Sequence, residues 1–258
     1  MRLRCCPRTV AALLCLGLTG SLLGTPVEFS GSSGNLSASV LFDDSVAGTL
    51  IVTLSNTSPN DVLVPIDVLT GVFWDSSVAL TLTRSSAVVP GSSTVYFCGG
   101  SCPAGGVVGG EWAYNSGLAG PGATAYGISS AGLGLVGPGD RFPGPNLQGP
   151  DSPDGLQYGI LPAGDNTATG NAPVTGDNAL ILNSVIFTLT GLPAGFDAQA
   201  AISNVQFQYG TALSEPSFPG DPGGGGGGGS QVPEPATMSL LGGGGLLLLI
   251  AKRLKRRR

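Results

Sequence analysis

Two kinds of apolar spacing divide the chain. Between residues 37 and 209 apolar and polar positions alternate in short runs, whereas near each end apolar residues stand in one unbroken block. The first alternating run is residues 37–42. Thr49–Asn56 follows, with Leu50, Val52 and Leu54 on one face, the two-residue period of a half-buried strand. Residues 43–48 between them are rich in turn formers, which predicts a hairpin. Residues 62–67, 69–74, 78–83 and 93–97 read as further strands, with a turn at 57–61. Strand character returns at 179–182, at Ser184–Thr190 and at 201–209, where Val205, Phe207 and Tyr209 share a face and the run reads as the last strand; residues 191–195 are the turn before it. Short β-branched runs without helical periodicity predict an all-β ectodomain, a β-sandwich or jelly roll; pairing of the first and last strands would fit such a fold, but the pattern does not fix strand order.

The apolar blocks at the ends have different neighbours. Arg2, Arg4 and Arg8 precede an apolar stretch at 9–23, followed by small residues, so residues 1–24 read as a secretory signal peptide cleaved between Ser21 and Thr25. The second block, residues 238–251, is about 21 Å long as a helix. A bilayer core is about 30 Å thick, so this reads as a short transmembrane helix, lengthened by snorkelling of Lys252 and Arg253 and weakened by the glycines at 242–245. Six cations lie within residues 252–258, which places that end in the cytoplasm.

The segment order Val232, Pro233, Glu234, Pro235, Ala236, Thr237, then the apolar run, then the basic cluster, resembles the PEP-CTERM sorting signal of exported proteins of Gram-negative bacteria. The resemblance covers about a tenth of the chain, residues 232–258. It implies recognition at Val232, Pro233, Glu234 and Pro235 by an exosortase, a membrane enzyme that processes the protein after the secretion machinery has exported it. Both prolines lack an amide donor and fix φ, so the motif is extended and open to an enzyme. The membrane is then a partner only before processing, and the destination is the cell surface or extracellular matrix. Exopolysaccharide in a biofilm is the expected associate.

Composition narrows the chemistry of the remainder. Between residues 25 and 231 lie fifteen acidic residues against only Arg84 and Arg141, a formal charge of −13. Such a surface repels nucleic acid. The chain has no histidine, so a Ser-His-Asp triad, a Cys-His pair and a histidine zinc site are excluded. Gly132, Gly134 and Gly137 match a dinucleotide-binding pattern by letters, but Pro138 and Gly139 follow in place of a helix that would receive a phosphate. No catalytic residue, metal ligand set or cofactor is assigned. The expected function is therefore structural or adhesive rather than enzymatic. A carbohydrate- or calcium-binding module is the alternative, and a paired-carboxylate glycoside hydrolase a more distant one.

Cys98 and Cys102 are the two cysteines left after leader removal, and export makes a disulfide between them the expectation. Roughly a third of residues 98–182 are Gly or Pro, near the low-complexity range. Yet Trp112, Tyr114, Tyr126, Phe142 and Tyr158 are spread through the segment, so it reads as long ordered loops anchored by aromatics, with a sugar-stacking face as the alternative use of the rings. Asp151 with Asp154, or Asp165 with Asp177, are the acids a calcium site would draw on. The ectodomain is placed at 25–219 and a flexible glycine linker at 220–231.

Overall fold

The computed structural model describes residues 24–99, 102–131, 146–148, 153 and 155–223. The leader, Phe142, Asp151, Asp154 and the whole tail from residue 224, including the expected transmembrane helix and the sorting motif, lie outside the described residues.

Thirteen strands, with two four-residue helices and three 3-10 turns, form two antiparallel or mixed sheets joined through one strand. In the first sheet, β1 (Val27–Ser33), β2 (Leu36–Asp43) and β3 (Thr49–Asn56) are a meander. The β1–β2 turn is Gly34-Asn35, and Gly34 has φ 59°, the value a type II′ turn requires at its first central position. At the β2–β3 turn the Asp43 carboxylate accepts from the Ser45 N–H (2.8 Å) and Gly48 takes φ 73°, so the expected hairpin forms with side-chain support. Strand β11 (Ser184–Thr190) pairs with β3 along its whole length, and β5 (Thr83–Val88) closes that edge.

The second sheet is built on β4 (Leu69–Ser76), whose first six residues are all buried. It pairs with β12 (Ile202–Tyr209) on one side and with β8 (Tyr126–Ser129) and β9 (Ile160–Leu161) on the other. Strand β7 (Ala113–Ser116) extends β8. Strand β10 (Leu180–Leu182) runs parallel to β9 and pairs with β6 (Thr94–Tyr96), the far edge.

Strand β13 (Ser217–Pro222) joins the sheets: residues 217–220 pair with β12, and Asp221 and Pro222 pair with β1. The strands that alternation gives as first and last, β2 and β12, do not pair with each other; β1 and β13, which alternation does not expose, lie between them and pair. Strand β1 is half Ser and Gly, and β13 contains Pro219 and Gly220. It also occupies the first positions expected for the glycine linker.

Inward residues of the two sheets meet in one core. Phe42 of β2 packs edge-on to Trp74 of β4 (centroids 5.3 Å apart), and Trp112 meets Phe187 of β11 at 4.8 Å. Fully buried Leu50, Val52, Leu54, Val205, Phe207 and Tyr209 supply much of the remaining volume, as their alternation implies. Some of the buried positions are polar. Asn56, 2% exposed, donates through Nδ2 to the Ile160 carbonyl (2.8 Å), while its Oδ1 accepts from the Ser58 N–H (3.0 Å) and the Tyr209 hydroxyl (3.4 Å).

Two expected strands are absent, each because side chains take over the backbone donors. In residues 62–67 the Val62 N–H is bound by the Asp165 carboxylate (2.6 Å) and the Leu63 N–H lies 3.4 Å from that of Asp67, while Pro65 has no N–H and opens a 3-10 turn, Pro65–Asp67. In residues 78–83 the Leu80 N–H donates to the Tyr126 hydroxyl (3.0 Å), and only Thr83 joins a strand, β5.

Candidate functional site

The aromatics of the Gly/Pro-rich segment that are described turn inward. Trp112 is fully buried, and its Nε1 donates to the Tyr158 carbonyl (3.2 Å). Trp74 is flanked by Tyr114 and Tyr126, stacked at 6.2 and 6.1 Å. Burial also pushes the Tyr114 hydroxyl above its ordinary range, with the nearby Tyr126 adding to the effect. These rings anchor loops, Trp112 and Tyr114 being buried and Tyr126 and Tyr158 half-buried against the core.

Glycine makes that packing possible. Phe73, on the opposite face of β4 from Trp74, lies against Gly120 and Gly127, where an added Cβ would overlap its ring. Ala113, Ala131 and Leu118 complete this small cluster. High glycine content here reflects close approach of backbone to an aromatic ring, as well as turns.

The candidate acids serve the loops. Asp165 Oδ1 accepts from Val62, and Asp61 accepts from the Asn166 N–H (3.1 Å) and the Thr169 hydroxyl (3.4 Å), so the two carboxylates stitch loop 57–67 to loop 162–171. Burial holds the Asp165 carboxyl above its ordinary range; the Val62 N–H opposes this and the Asp61 charge adds to it. Asp177 follows the short helix α1 (Ala172–Thr175), with its N–H on the Ala172 carbonyl (3.1 Å). Among the described residues no three of His, Cys, Asp and Glu come together as a metal site, Asp165 and Asp177 included.

Cys98 and Cys102 are joined in a disulfide, with Cα atoms 4.9 Å apart. The link follows edge strand β6 and closes a tight loop; Phe97, just before it, and Gly99, within it, both take φ 60°.

One cleft, of about 230 Å³, opens between the β2–β3 turn and the segment before β12, lined by Gly24, Asp44, Gly48, Leu192, Pro193 and Phe196 among others. Among the described residues Asp44 is the only ionisable one in its wall, and it is 8% exposed. Its Oδ2 accepts from the Ala198 N–H (3.0 Å) at the start of α2 (Ala198–Ala201). Its Oδ1 is buried and has no hydrogen-bond partner. Sequence reasoning passed over Asp44, because Asp43-Asp44-Ser45 reads as an ordinary turn.

Comparison with protein families adds one finding. A model of the PEP-CTERM protein-sorting motif matches residues 231–258. The chain thus carries the signal that residues Val232 to Pro235 suggested, and a motif of this kind implies an exported protein sorted to the cell envelope. No curated protein and no solved structure matches the chain.

Proposed function

We propose that the chain is a non-enzymatic structural or adhesive protein of the cell surface or extracellular matrix, released from the inner membrane by an exosortase and held in exopolysaccharide. The observation that carries this reading is the sorting motif at residues 231–258, joined to an all-β domain. In this reading residues 24–223 form a β-sandwich ectodomain. The contact of Phe42 on β2 with Trp74 on β4, and that of Phe187 on β11 with Trp112 just before β7, support that architecture. The non-enzymatic part is supported by how the candidate groups are used. Asp61 and Asp165 are engaged with loop N–H groups and the described aromatics with the core. A −13 segment with a disulfide suits a hydrated, oxidising exterior.

The apolar run at 238–251 is short for a bilayer and contains four consecutive glycines, so the tail acts as a transient stop rather than a lasting anchor. Cleavage near Pro235 removes residues 252–258 from the mature form. C-terminal peptide mass spectrometry on extracellular material tests this. Replacement of Pro233 and Pro235 by Ala is expected to leave an uncleaved, membrane-retained chain. Recovery of peptides from residues 239–254 in the released wild-type protein would show instead that the tail is kept.

A further inference from the structure

A buried carboxylate oxygen without a partner is an expensive feature, because a desolvated charge needs an opposite charge or a donor. Asp44 Oδ1 is such an atom. Its twin, Oδ2, is satisfied by Ala198, so the side chain is fixed and cannot turn Oδ1 to solvent without giving up the helix contact. No basic side chain lines the cleft around it. Among the described residues Arg84 is the only Lys or Arg, and it lies exposed on edge strand β5, opposite Leu189, with β11 and β3 between it and β2. The backbone that covers the carboxylate is Gly24, packed so closely that any side chain there would overlap it. Gly24 is also where the chain changes character. It ends the stretch with the charge and apolar pattern of a secretory leader, and β1 begins three residues later.

We propose that Asp44 is the receptor for the α-ammonium group of the mature chain, freed by leader cleavage between Ser21 and Thr25. The inference rests on the leader reading, which the export signal at the other end of the chain supports. An N-terminus created in this window lies within three residues of Gly24. It supplies the cation that no described side chain offers, with N–H donors for Oδ1. In the precursor the same nitrogen is an uncharged amide within the chain. Processing therefore adds a charge pair that ties the start of β1 to the β2–β3 turn and, through Oδ2, to α2. The processed domain is the completed one, so maturation at the outer face of the membrane and final stability are linked.

The full-length chain, exported by a host cell and purified in detergent, tests this in two stages. Intact mass first fixes the N-terminus: a chain beginning at Met1 overturns the leader reading and the proposal with it. On a cleaved chain, the α-amine is then labelled with an acylating reagent at neutral pH. Only the unprotonated amine reacts, and an ion pair worth one pKa unit slows labelling about tenfold. The expected result is a native wild-type amine labelled about tenfold more slowly than that of Asp44→Asn, with Asp197→Asn, an exposed acid at the same helix, behaving as wild type. The same wild-type chain unfolded in urea provides the reference should Asp44→Asn not fold. Equal labelling of native wild type and either reference on a correctly cleaved chain overturns the proposal while leaving the leader reading intact.

Discussion

The β1–β3 meander with β11 and the Gly/Pro-rich stretch between β6 and β10 reach burial by different routes. In the first, side chains alternate in and out, ladders run for six or seven residues, and the inward residues are mostly apolar, with Asn56 an exception. In the second, strands last two to four residues and the backbone is held by a few large rings, each seated where glycine or a loop carbonyl makes room. Low complexity thus does not by itself mean a linker. What orders the described glycine-rich chain is the presence of aromatics with somewhere to go, as at Trp112.

The comparison breaks most plainly at Trp112. If the second region is ordered by its rings, Trp112→Ala removes a fully buried side chain and costs about 3–5 kcal/mol, close to that of Phe187→Ala in the regular region, measured by urea unfolding. A cost under about 1 kcal/mol would mean that the segment is a loosely attached loop. Gly127→Ala comes next. Its methyl would meet the Phe73 ring, so a loss of about 1–3 kcal/mol is expected, and Phe73→Leu in the same chain should restore part of it. Asn56→Ala sharpens the contrast from the regular side. Leaving the Ser58 N–H and the Ile160 carbonyl short of partners costs about 1–3 kcal/mol, and an unchanged midpoint would show the site to be water-filled.

Removing the disulfide with Cys98→Ser and Cys102→Ser should cost about 2 kcal/mol or less, because the closed loop is short. The smallest effect is at Asp165. Its carboxyl is raised above the ordinary 3.8 in the folded chain, so the folded state binds the proton more tightly than the unfolded one. That contribution is present in full below 3.8 and is lost as pH rises through the higher folded value. Asp165→Asn keeps an acceptor for Val62 and should flatten this fall while leaving stability at the acid end unchanged. A stability–pH curve that is the same for both chains would remove Asp165 from the account.

How much was legible follows the same division. Thr49–Asn56 and Ser184–Thr190 carry strict alternation, and both appear as strands at those bounds. The run at 62–67 has the same apolar density, yet Leu63, Val64 and Ile66 are exposed, because Asp165, a hundred residues away, claims the first N–H. No local pattern reports a remote cap. The same holds for Leu80, whose N–H goes to Tyr126. Strands β1 and β13 were hidden by Ser, Gly and Pro, which fit there because each strand is paired on both sides and only a few positions, such as Val27, Phe29 and Phe218, have to be apolar. The sorting motif was readable because an enzyme reads it as sequence. Asp44 was not, because its significance lies in what faces it.

Strand β13 also sets how the domain bears load. The chain leaves the domain through it, so tension on the C-terminal side is applied at Pro222. Asp221 and Pro222, held by β1, meet that tension first, and the four pairings of residues 217–220 with β12 stand behind them. A pull strong enough to free the strand parts the two sheets at their shared seam. If load reaches the domain from its C-terminal side, β13 is where it yields, before the rest of either sheet unravels.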